Sequence, residues 1–128
     1  LRIVGIQRHE RPEQEFVLLQ NQGSMRIRLR GHAVISESCL ATNDLSRGAF
    51  AFADDEAIPP GFFVVLQTGC GVNRWAKTKD GTHVYYVFMG RNQSVWSRSL
   101  EPVHVFHTQH TYVERTEAFE PYRTSVSL

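Results

Sequence analysis

The feature that most limits what this chain can fold into is the spacing of its apolar residues. They fall in short β-branched and aromatic runs, each stopped by Gly, Pro, Asn, Asp or Ser, and no stretch keeps a helical period. Such runs suit strands, whose side chains alternate between two faces, better than helices, which need a longer apolar stripe. The runs span 1–6, 15–19, 25–30, 33–35, 49–52, 62–66, 82–89, 103–106 and 111–114. In the third, Ile27 and Leu29 alternate with Arg26, Arg28 and Arg30, the period of a half-buried strand. Phe62 to Leu66 is apolar throughout and follows Pro59-Pro60-Gly61, which predicts a central strand buried on both sides or nearly so. Residues 103–106 and 111–114, joined by His107 to His110, read as a hairpin. Short strands with turn signals about every ten residues predict an all-β sandwich or barrel.

At 128 residues the chain suits one domain, expected over 1–119, with 120–128 as a tail or linker. A formal charge of +1 does not by itself point to a polyanionic partner. The longest apolar run is too short to span a bilayer, so no membrane insertion is expected. With neither a signal-peptide pattern nor an initiator Met at Leu1, a mature product or an excised piece of a longer chain is expected. Cys39 and Cys70 form no C-x-x-C pair and are expected to be unpaired.

Four clusters are candidate sites. Arg26, Arg28 and Arg30 stand about 7 Å apart along one strand face, close to the spacing of successive phosphates, and could hold a polyanion. The stronger expectation is a solvated face paired with Glu13 and Glu15 across a turn at Asn21 to Gly23. His104, His107 and His110 do not converge on a strand, so no metal site is expected. Asp54-Asp55-Glu56 lacks the ligand pattern of a calcium loop. Trp75, Tyr85, Tyr86, Phe88 and Trp96 form either an exposed interaction patch or ordinary sandwich core, and the sequence leaves both open. Ser36, Ser38 and Cys70 carry no nucleophile motif, and no phosphate-binding loop is present. Catalytic, cofactor-binding and metal-binding residues are therefore not expected.

Five stretches, in order, resemble the lamin tail domain. Glu15 to Asn21 resembles its "EF-hydrophobic-x-hydrophobic-x-N" strand, and Ile27 to His32 its "V-D-L-S-G-W" turn. Ile58 to Leu66 resembles its Pro-Gly approach to a central strand, Asn92 to Trp96 its polar turn, and Val103 to Arg115 its last hairpin. His32 replaces the usual Trp, His107 and His110 replace the turn Asp and Gly, and residues 72–89 match nothing specific. The resemblance, to the prokaryotic branch of that family, implies an immunoglobulin-like antiparallel β-sandwich. It also implies a non-catalytic structural or protein-interaction module without cofactors, on a secreted or cell-surface protein. Its partner would be a protein or a neighbouring domain. Nucleic-acid binding through the arginine face, or service as an accessory binding domain of a secreted enzyme, are the alternatives it implies.

Overall fold

The computed structural model describes residues 1–42, 48–97 and 100–107. The strands are β1 (Arg2–Gln7), β2 (Phe16–Gln20), β3 (Ile27–Arg28), β4 (His32–Ser36), β5 (Ala49–Ala51), β6 (Ala57–Ile58), β7 (Phe63–Gln67), β8 (Arg74–Lys77), β9 (His83–Phe88) and β10 (Val103–His107). One short helix, α1 (Glu37–Thr42), and one 3-10 turn (Pro12–Gln14) complete the described elements. The protein is thus mostly β. The strands form a five-stranded sheet in the order β1-β2-β7-β9-β8, a three-stranded sheet β10-β4-β5, and a pair β3-β6.

The apolar runs explain the core. Along β2, β7 and β9 alternate side chains turn inward: Val17, Leu19, Val64, Leu66, Tyr85 and Val87. They join Leu29, Val34, Phe52, Ile58 and Trp96 in one buried cluster. Each large apolar side chain removed from water there contributes on the order of 2 kcal/mol.

Three expectations from the sequence need correction. First, β7 and β9 run parallel, with Phe63 opposite Val84 and Gln67 opposite Phe88, so the sheet is mixed. The chain leaves β7, crosses to the sheet edge as β8, and returns through a tight hairpin as β9 between the two. Gly81, at φ +88°, and the bonds between Thr78 and Thr82 close that hairpin. Residues 74–77, which fall in none of the apolar runs, are therefore an edge strand. Second, the arginine run forms only the two-residue β3, paired with β6 and not with the strand before it. Both edges of β2 are already taken, by β1 and by β7, so no ladder remains for β3. Third, one short helix, α1, forms although no stretch of the sequence keeps a helical period. Its first amides are held by the 101–102 segment: Glu37 N donates to Pro102 O at 3.0 Å and Ser38 N to Glu101 Oε1 at 2.6 Å.

The two cysteines are not bridged; Cys39 is buried on α1 and Cys70 is exposed. β10 pairs with β4, while the expected partner run 111–114, His110 and the 120–128 tail lie outside the described residues.

Candidate functional site

The five-stranded sheet presents an outer face that the core does not use. Because β2, β7 and β9 are apolar at consecutive positions, residues between the inward ones are apolar too. Phe16, Leu18, Phe63, Val65 and Tyr86 point outward and are only half-buried. Register aligns them: Leu18 lies opposite Val65, Val65 opposite Tyr86, and Tyr86 opposite Arg74. The β8–β9 hairpin stands along one side, so Thr78, Lys79, Asp80 and Thr82 wall an open groove of about 600 Å³ over Phe16, Leu18, Phe63, Val65, Val84 and Tyr86.

Polar contacts fix the shape of this wall. The Asp80 carboxylate accepts bonds from Thr78 and Thr82, which hold its pKa below the usual carboxylate value. The Arg74 guanidinium lies 4.9 Å from the Tyr86 ring centre and 5.7 Å from that of Phe88. Gly71 is needed beside it, because a Cβ there would sit 2.5 Å from the Phe88 ring.

The other side of β8 differs. Trp75, 37% exposed, packs on Tyr85 at 5.0 Å and on Phe62 at 5.9 Å, and Phe62 stacks on His83 at 4.6 Å. The Trp75 indole donates to Glu56 at 3.1 Å, and the Tyr85 hydroxyl and Asn73 amide both donate to Asp54. Burial, and then the bonded Asp54 carboxylate, push the Tyr85 hydroxyl well above its ordinary pKa. Tyr85 therefore stays a neutral donor.

The five aromatic candidates thus separate. Trp75 and Tyr85 share one side of the sheet, Tyr86 and Phe88 stand on the other, and Trp96 is core at 2% exposure. They do not make one patch. Arg26, Arg28 and Arg30 are all exposed, but Arg28 meets Asp55 at 3.6 Å and also donates to its carbonyl, while Arg30 donates to the Ala53 carbonyl. Arg28 and Arg30 are engaged with the 53–55 turn, not with Glu13 and Glu15. Among the described residues, no three His, Cys, Asp or Glu side chains gather as metal ligands.

Sequence reasoning missed two internal struts. Glu15 is fully buried; its carboxylate accepts from Thr68 Oγ1 at 2.8 Å, Val95 N at 2.7 Å and Trp96 N at 3.1 Å. Asn21, 1% exposed, donates to the carbonyls of Met25 and Ile58, each at 2.9 Å, and accepts from Gly23 N at 3.0 Å. The available signal was a lone acid at the head of an apolar run, since a charge buried there must find donors. Arg8 adds a third tie, donating to the carbonyls of Trp96 and Glu101.

His32, where the lamin-tail pattern has Trp, is buried at 3% exposure. Its ring stacks on that of His107, its cross-strand neighbour, at 4.1 Å, and its Nδ1 lies 3.1 Å from the Leu29 carbonyl. Burial first, then the neighbouring His107, lower its pKa. Unfolded chains therefore bind this proton more readily than folded ones. Stability is fully present above the unfolded value of about 6.5 and falls as pH drops from there toward the folded pKa. Urea midpoints measured from pH 8 to pH 5 should decline, and His32→Gln should flatten the decline. An unchanged slope in that variant would show that the pair is not its source.

Compared with known protein families, with curated proteins and with solved structures, the chain gives no match.

Proposed function

We propose that this protein is a non-catalytic interaction module of lamin-tail type, an immunoglobulin-like sandwich that binds a protein or a neighbouring domain. The observation that carries the reading is the central strand β7, apolar on both faces, whose outer face is only half-buried. A strand with that composition normally lies between two covering layers. The struts add support. Glu15 joins the first stretch of the resemblance to Val95 and Trp96 in the fourth, and Asn21 joins it to Ile58 in the third. The polar residues of the pattern thus serve the scaffold, and recognition falls to the surface. Engagement of Arg28 and Arg30 with the 53–55 turn weighs against the polyanion alternative.

The test is site-specific cross-linking of the full-length protein in its native cell. Benzoyl-phenylalanine in place of Tyr86 should capture a discrete protein partner, and the same group at Met25, which is 75% exposed elsewhere, should not. Binding of the purified partner should then be lost in Val65→Lys. Equal capture at both positions, or none at position 86, would remove the reading.

A further inference from the structure

The groove on the outer sheet face has a charge pattern of its own. Its floor is Phe16, Leu18, Phe63, Val65 and Tyr86, and its surface is mostly apolar. Two cations stand at its margin: Lys79 on the hairpin wall and Arg74 at the end of the Leu18–Val65–Tyr86 row. Arg2, opposite Gln20, stands on the same face at the far edge. Among the described residues none of the three forms a salt bridge; the two recorded bridges lie at Arg28–Asp55 and His104–Glu37. The single acid in the wall, Asp80, is already turned to Thr78 and Thr82. Asp80 keeps its negative charge while it accepts those bonds, so the three cations at the margin outnumber the one acid of the wall and the surround of this apolar floor is net positive.

We propose that this face is the docking surface for an acidic protein segment with alternating apolar side chains. Its apolar residues would fill the floor between β2, β7 and β9, and its carboxylates would meet Arg74 and Lys79. Apolar anchors supply most of the affinity in such a contact, and the rim charges supply selectivity and a faster encounter. A basic segment would be rejected by the same cations. The inference rests on the module reading above, and it specifies the partner's chemistry.

The experiment uses the full chain, labelled with nitrogen-15, and three octapeptides that alternate Val or Phe with Glu, with Lys or with Ser. The Glu peptide should shift amide signals of Leu18, Val65 and Tyr86 and bind at least about tenfold more tightly than the Lys peptide. Its affinity should fall with added salt. The doubly reversed variant Arg74→Glu with Lys79→Glu, whose changes lie on exposed residues, should reverse that order. Equal binding of all three peptides, or preference for the Lys peptide, would overturn the charge inference while leaving an apolar interface on this face. Shifts located away from β2, β7 and β9 would overturn the site. If no peptide binds and position 86 captures no partner, both readings fail together. Concentration-dependent self-association lost in Val65→Lys would give the face to a second copy and overturn the acidic partner.

Discussion

Replacing Glu15 by alanine is expected to lower stability by about 3–5 kcal/mol in urea unfolding, a large share of what a domain of this size holds. The carboxylate is fully buried and accepts from Thr68, Val95 and Trp96. Alanine leaves all those donors in a dry interior without a partner, and each orphaned group costs roughly 1–3 kcal/mol. Glutamine should lose less, about 1–3 kcal/mol, because its amide oxygen still accepts while its NH₂ group faces donors it cannot serve. The loss should also loosen the 91–97 turn, whose Trp96 is held by Glu15 from one side and by Arg8 from the other. A Glu15→Ala chain within about 1 kcal/mol of the parent would show that water reaches these amides and that the strut carries little.

Asn21→Leu is the second large effect, expected at about 2–4 kcal/mol in the same measurement. Leucine keeps the branched shape, with bulkier methyl tips, but abandons the carbonyls of Met25 and Ile58 and the amide of Gly23. The side chain joins two loops that are far apart in sequence, and the Asn21 backbone joins them again through Gly61 and Phe62. Asn21→Asp should be at least as harmful near neutral pH. It keeps an acceptor for Gly23 but turns a carboxylate against two carbonyl oxygens. Hydrogen exchange in this variant should rise first in residues 58–63, where β6 and the start of β7 depend on the clamp. Uniform exchange across the chain would instead mean that the clamp contributes only to global stability.

Much of the fold was legible because alternation reports which face a side chain occupies. Ile27 and Leu29 point inward and Arg26, Arg28 and Arg30 outward, as their spacing predicted. Alternation does not report which strand lies alongside. Nothing in the 25–30 run says that β2 is already flanked by β1 and β7, so the pairing with Glu13 and Glu15 was misplaced. The parallel β7–β9 contact was hidden for the same reason: it depends on β8 taking the edge, and Arg74–Lys77 has too few apolar residues to announce a strand. Of the candidate site, the doubly apolar character of residues 62–66 was readable. Its half-open outer face was not, since a chain apolar on both sides predicts cover on both. Trp75 and Tyr86 looked like neighbours because they share a region, yet residues on adjacent strands join one patch only when their registers match.

The account places stability and recognition on different residues, and one paired measurement separates them: unfolding midpoint and partner affinity determined together for Glu15→Gln and Val65→Lys. Val65→Lys should lose partner binding while its midpoint stays near that of the parent. Glu15→Gln should lose stability yet bind normally whenever it is folded. If affinity instead tracks the midpoint across both variants, the outer sheet face is only part of the scaffold and recognition resides elsewhere.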